Sequence, residues 1–197
     1  LPEVLVLATM GFSTGIMGSG ALGESQLGSF VVSIVAMMLV PALLAGRVLG
    51  VSAAVLLPLG RPRVRNLLLA LPLTLAMFGT SSLVSEAALA VLPRNGIVQG
   101  FIDGFPVLIS SYWAVLALSV LPAVCEEFLF RGVILGLLLK SGNKRLAIVG
   151  QAVFFALAHL VSVRLPWTFV FGLVTGWLRV RTGSLWAGML LHFAVNF

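Results

Sequence analysis

Long apolar runs constrain the fold of this chain more than any other feature. A bilayer core about 30 Å thick needs about 20 apolar residues in each membrane helix. Backbone groups in lipid must be bonded within their own segment, and the alternating pattern of barrel strands is absent. The sequence therefore predicts an all-α fold, a polytopic membrane helical bundle of about seven to eight transmembrane helices. The apolar segments lie at about residues 4–22, 27–46, 66–92, 106–139, 146–163, 165–178 and 184–197.

The composition excludes a water-soluble protein. Of the 197 residues 60% are hydrophobic and 9% are charged, and the mean hydropathy is +1.16, whereas soluble domains carry about 25% charged residues. We expect an integral membrane protein of a prokaryotic plasma (inner) membrane, surrounded by the lipid bilayer. The net charge of +6 comes from Lys and Arg in the short connections, where topology determinants lie, so no nucleic acid is expected as a partner.

No internal repeat or low-complexity linker divides the chain. We therefore predict one membrane-embedded domain, 1–197, with a motif-bearing core at about 106–197. The 34-residue run at 106–139 is too long for one ordinary span, and Pro122 within it predicts a kink or a break. An eighth helix has room there or at residues 48–60.

Two pairs of glycines are spaced four residues apart within apolar segments. They are Gly11 with Gly15, and Gly172 with Gly176. Small residues at this spacing let two helix backbones approach closely. We interpret both pairs as helix packing rather than as a dimer interface.

Ionisable side chains within the apolar segments are the strongest indication of function. Each one near the middle of a bilayer costs at least about 2.5–3.5 kcal/mol on insertion scales, so each is a candidate for a functional site. Arg131 and Asn196 accompany four such residues in the same segments. The four are Glu126, Glu127, His159 and His192.

Helical geometry divides these residues into groups. Glu127 and Arg131 are four residues apart with the acid first, the order that favours an ion pair on one helix face. Glu126 points about 100° away from Glu127, so it needs a partner from another helix. His192 and Asn196 are also four residues apart and share one face.

Three of these residues are predicted to lie at similar depths in the membrane. Glu126, His159 and His192 are 14, 14 and 11 residues from the basic residue that ends each segment on the side predicted to be cytoplasmic. At about 1.5 Å per residue these separations are about 21, 21 and 17 Å, so three helices bring polar groups to one level. The three basic residues are Lys140, Arg145 and Arg181.

This combination of groups is suited to hydrolysis. Glu126 and His159 are candidates for holding and deprotonating a water molecule that attacks a carbonyl. His192 and Asn196 are candidates for donating hydrogen bonds to the oxyanion of the tetrahedral intermediate. Cys125 adjoins the first glutamate, but we interpret it as a small buried thiol rather than a nucleophile.

The motifs that contain these residues are EExxxR, FxxxH and HxxxN, in this order, within residues 126–196. In them the sequence resembles the CPBP family, which comprises the CAAX proteases and bacteriocin-processing enzymes and is also called the Abi family. The resemblance implies a glutamate-dependent intramembrane endopeptidase whose substrate is a membrane-associated peptide or protein. The roles that it implies are water activation for Glu126 and His159, the oxyanion site for His192 and Asn196, and architectural support for Glu127 and Arg131.

Three other functions would use the same residues. Two histidines and a carboxylate can form a zinc site, here Glu126, His159 and His192, but the sequence has no HExxH motif, so we expect no metal and no other cofactor. A proton-coupled transporter or channel would use the buried groups as a proton relay, although neither a repeat nor paired broken helices are evident. A non-catalytic membrane scaffold is the third alternative.

Overall fold

Helices form every regular element that the computed structural model describes, which confirms the predicted all-α class. The described residues are 28, 31–60, 62–91, 112–159 and 164–196. The elements are α1 (Val31–Leu49), α2 (Ala53–Leu56), α3 (Val64–Val91), α4 (Tyr112–Glu126), a π-helical segment (Glu127–Ile134), α5 (Leu135–Leu138), α6 (Lys144–Ala158), α7 (Leu165–Thr182) and α8 (Trp186–Asn196). The apolar segment predicted at 4–22, with Gly11 and Gly15, lies outside the described residues.

Helices α1 and α3 are long and apolar enough to cross a membrane. They contain 19 and 28 residues, with mean hydropathies of 2.2 and 1.9. Most of their side chains are exposed, as contact with lipid requires; Leu75 in α3 is 76% exposed. These helices agree with an integral membrane protein. The predicted count of seven to eight spans is not confirmed, because these two are the described helices that meet both the length and the hydropathy criterion.

The sequence predicted a kink or a break at Pro122, and the helix is not broken there. Helix α4 passes through this buried proline and continues into the π-helical segment, α5 and a 3₁₀ turn at Leu139–Ser141. Membrane helices tolerate proline because neighbouring helices and local π adjustments satisfy the freed backbone groups. Residues 48–60 contain the end of α1 and the four-residue α2, about 6 Å long, which is too short to be an eighth membrane-spanning helix.

Helices α6 and α7 form a closely packed pair. A Cβ at Gly172 would lie 2.9 Å from the Ala152 Cα in the backbone of α6, so glycine permits this approach. A Cβ at Gly176 would lie 2.6 Å from the Nε2 at the end of the Gln151 side chain. The packing interpretation of the second glycine pair is thereby confirmed. Gln151 reinforces the contact, because its Nε2 donates to the carbonyl of Gly172 at 2.6 Å.

Short helices place the polar residues inside the membrane. Helices α6 and α8 contain 15 and 11 residues, about 22 and 17 Å, and are shorter than a bilayer core of about 30 Å. His159 is the residue that caps the end of α6, and His192 lies in the second half of α8. Ser119 of α4 holds the end of α8, because its hydroxyl donates to the Asn196 carbonyl at 3.1 Å.

Candidate active site

Four of the predicted polar residues meet in one cluster. Glu126 ends α4, Glu127 begins the π-helical segment, His159 caps α6 and His192 extends from α8. Three of them are buried, while the side chain of His159 is 20% exposed. A single residue in each of two further helices therefore converges on the adjacent glutamates, as the depth argument predicted.

Glu126 faces both histidines without a direct hydrogen bond. Its Oε2 lies 3.9 Å from the Nε2 of His159 and 3.7 Å from the Nε2 of His192. Both distances exceed the range of N–H···O hydrogen bonds. This oxygen is buried, and no group in the described part of the chain donates a hydrogen bond to it. The gap suits a water molecule that contacts the carboxylate and an imidazole from the side.

The other ring nitrogens fix how the two imidazoles are oriented. The Nδ1 of His159 lies 2.8 Å from the carbonyl oxygen of Phe155, which can only accept, so this nitrogen carries hydrogen. The Nδ1 of His192 lies 3.1 Å from Glu127 Oε1, again an acceptor in the ionised carboxylate. In its neutral form, each ring would therefore present the lone pair of its Nε2 towards Glu126.

The predicted ion pair between Glu127 and Arg131 is confirmed, with 3.0 Å between Glu127 Oε1 and Arg131 Nη1. The pair lies within the π-helical segment, a distortion that recurs at functional sites in membrane and soluble helices. The same Oε1 also contacts His192, so Glu127 joins the supporting pair to the histidine of another helix. Sequence reasoning did not anticipate this second contact, because nothing in the sequence relates positions 65 residues apart.

Aromatic rings and a threonine surround the fully buried Arg131. Its guanidinium carbon lies 4.0 Å from the centre of the Phe155 ring, a cation–π contact, and its Nη2 donates to the hydroxyl of Thr175 in α7. Phe155 also packs on the His159 ring, at 4.6 Å between centroids. The buried guanidinium of Arg131 therefore contacts both the Glu127 carboxylate and the Thr175 hydroxyl, which accepts a hydrogen bond from it.

Thr175 and Gly188 are site residues that sequence reasoning missed. A Cβ at Gly188 would lie 2.6 Å from the Oε2 of Glu127, so the glycine leaves room for the carboxylate against α8. It precedes His192 by one helical turn on the same face, and this i,i+4 spacing was the signal that could have identified it. Thr175 carried no such signal, because threonine is ordinary in apolar helices.

The side chains of Asn196 and Cys125 form no hydrogen bond with the glutamates or histidines of the cluster. Asn196 is the last residue of α8 and is exposed, one turn beyond His192, so its oxyanion role remains a prediction. Cys125 is buried at 1% exposure, as expected of a structural thiol. Across the described ranges, no group of three His, Cys, Asp or Glu side chains is suited to hold a metal ion. The metal-free site remains a prediction to be tested by chelation.

Comparison with known proteins agrees with the motifs. Residues 108–197 match a family model described as Rce1-like, the type II CAAX prenyl endopeptidase Rce1-like family. This range contains all three motifs, so the comparison agrees with the resemblance to the CAAX proteases and does not favour a transporter or scaffold. No curated protein and no solved structure gives a significant match.

Proposed function

We propose that this CAAX protease-type chain is a glutamate-dependent intramembrane endopeptidase that hydrolyses a peptide bond near the membrane-associated end of its substrate. The observation that supports the proposal is the buried Oε2 of Glu126, which lies 3.7–3.9 Å from the Nε2 atoms of two histidines on separate helices. A buried carboxylate is energetically costly in a membrane, so its presence in this position points to a functional role.

Water activation follows from the hydrogen-bonding capacity of the cluster. Glu126 Oε2 and the Nε2 of neutral His159 are both acceptors, so one water molecule can donate a hydrogen to each. A lone pair of that water's oxygen attacks the carbonyl carbon of the scissile bond. Glu126 takes a water proton, and collapse of the tetrahedral intermediate breaks the C–N bond and passes the proton to the leaving amine.

The oxyanion would be stabilised by His192 and Asn196. Nδ1 of His192 donates its hydrogen to Glu127. This ring can therefore donate from Nε2 only as an imidazolium, which carries hydrogen on both nitrogens. The side-chain amide of Asn196, one turn further along α8, supplies a neutral donor. Donors of this kind act most strongly in a water-poor site, where their geometry is set before the reaction.

Substrate would reach the site from the side of His159. Its side chain is 20% exposed, whereas that of Glu126 is 8% exposed and His192 is buried. The name of the matched family indicates prenylated C-terminal peptides as substrates, and we propose a membrane-associated peptide or protein of this class. No metal or other cofactor takes part in the proposed reaction.

The experiment is cleavage of synthetic C-terminal peptides by the purified protein in detergent, followed by mass spectrometry. Each peptide is prepared with and without a prenyl group on its cysteine, and each reaction is run with and without a metal chelator. We expect cleavage at one bond, faster for the prenylated form, and unchanged rates after chelation. Activity that is lost on chelation and restored by zinc would contradict the metal-free mechanism.

A further inference from the structure

We propose that Thr175 is a positioning residue that acts through Arg131 and Glu127 to set the orientation and tautomer of His192. The kinetic part of this proposal rests on the proposed peptidase function, whereas the tautomer does not. The contacts form a continuous line from α7, through the π-helical segment, to α8. Thr175, Arg131 and Glu127 are each 0% exposed, so water does not replace a lost partner along this line.

The hydroxyl of Thr175 can serve Arg131 only as an acceptor. It donates its single hydrogen to the carbonyl of Phe171 at 2.7 Å in its own helix. Its lone pairs then remain for the Nη2 of Arg131. The guanidinium is planar and rigid, so fixing one terminal nitrogen also fixes the direction of the other. That other nitrogen, Nη1, lies 3.0 Å from Glu127 Oε1.

Glu127 transmits this constraint to the histidine. A single oxygen, Oε1, contacts both Arg131 Nη1 and His192 Nδ1, so displacement of the guanidinium moves the acceptor of the imidazole. The second oxygen lies beside Gly188 in α8, where a Cβ would be 2.6 Å away, so the carboxylate occupies the space that this glycine leaves free. Thr175 therefore keeps hydrogen on Nδ1 of His192 and directs its Nε2 towards Glu126.

Thr168 provides a matched control two turns earlier in α7. It is buried at 3% exposure, and its hydroxyl also donates to its own helix, at 2.9 Å from the Arg164 carbonyl. A change to valine at either position removes one buried hydroxyl and keeps the side-chain shape. Only the hydroxyl of Thr175 accepts from the buried Arg131, so a general packing effect would appear in both variants.

The decisive measurement is ¹⁵N NMR of histidine side chains in protein without a histidine tag. The chain contains two histidines, so His159 serves as an internal reference for His192. We expect hydrogen on Nδ1 of both rings in the unchanged protein, in Thr175→Ser and in Thr168→Val. Thr175→Val should add a population of His192 with hydrogen on Nε2 alone, while the His159 signal stays the same. An unchanged His192 signal in folded Thr175→Val would overturn the proposal.

Kinetics on a cleavable peptide supply the second readout. The proposed oxyanion donor is the imidazolium form of His192, which Glu127 supports through Nδ1. Loss of this support in Thr175→Val should lower kcat about tenfold, the lower end of the effect of losing an outer partner of a site residue, and leave KM unchanged. Thr175→Ser should restore kcat to within about twofold, because the serine hydroxyl keeps the acceptor. An altered tautomer with normal kcat would keep the positioning role and count against the catalytic use of His192. If Thr175→Val and Thr175→Ala both fail to fold while Thr168→Val folds, the residue is purely structural.

Discussion

Helices α1 and α3 differ from the region between Ser119 and His192 in the kind of side chain that they bury. In α1 and α3, only 17% and 11% of the spanning window is buried, and most of the exposed side chains are apolar. Every buried polar or charged residue of the described chain lies instead between Ser119 and His192. Apolar sequence therefore serves contact with lipid in the first region, whereas in the second it encloses a polar cluster. The family match, at residues 108–197, covers the second region.

Removal of an arginine should change the free energy of unfolding far more in the polar region than in α1, and this is the largest difference that we expect. Arg131→Ala leaves Glu127 buried without its ion-pair partner, which typically costs about 3–5 kcal/mol. The same change at exposed Arg47, in the last turn of α1, should alter the free energy of unfolding by less than about 0.5 kcal/mol. Denaturation in detergent can be followed by labelling of Cys125, the single and buried cysteine. Equal stability of both variants would refute the supporting role of the ion pair.

A change at Asn196 tests whether this exposed residue takes part in the site that the buried polar residues form. Asn196→Ala removes a proposed oxyanion donor and should lower kcat by about 10²- to 10³-fold, with nearly normal stability. Ser119 bonds only to the backbone of this residue, so the end of α8 should remain in place. Steady-state kinetics on one peptide measure the effect. A variant with normal kcat would exclude Asn196 from the site and leave the oxyanion to His192.

Glycine-to-alanine changes should have opposite signs in the two regions. Gly188→Ala places a Cβ against the carboxylate of Glu127 and should cost about 1–3 kcal/mol through overpacking. Gly79→Ala in α3 meets nothing within 4 Å and should stabilise the helix by about 0.5–1 kcal/mol. The same labelling assay measures both. Destabilisation by Gly79→Ala would show that α3 packs against a part of the chain outside the described residues.

Part of this arrangement was predictable because it depends on local geometry. Helix rise alone placed Glu126, His159 and His192 at one level, and the four-residue spacing identified the ion pair of Glu127. The all-α class followed from hydropathy, although the number of spans did not. Boundaries were less accurate: α7 extends to Thr182 rather than 178, because basic residues near a membrane surface do not end a helix.

Long-range contacts and local distortions were not predictable. An assumed 3.6-residue period cannot show that the helix changes to π geometry at Glu127, where neighbouring helices satisfy its backbone. The contact between Arg131 and Thr175 joins positions 44 residues apart. A threonine hydroxyl normally bonds to its own helix, as Thr168 does, so sequence cannot distinguish the one that also accepts from a buried cation.

The central claim is that Glu126, and not its neighbouring thiol, is required for hydrolysis. It is tested most directly by measuring kcat of Glu126→Gln and Cys125→Ala on one cleavable peptide in detergent. Glutamine keeps the shape but removes the base, so kcat should fall by about 10²- to 10⁴-fold while substrate still binds. Cys125→Ala should retain activity, because the attacking group is water. Loss of activity in the cysteine variant with survival of the glutamine variant would contradict the account and indicate a thiol enzyme.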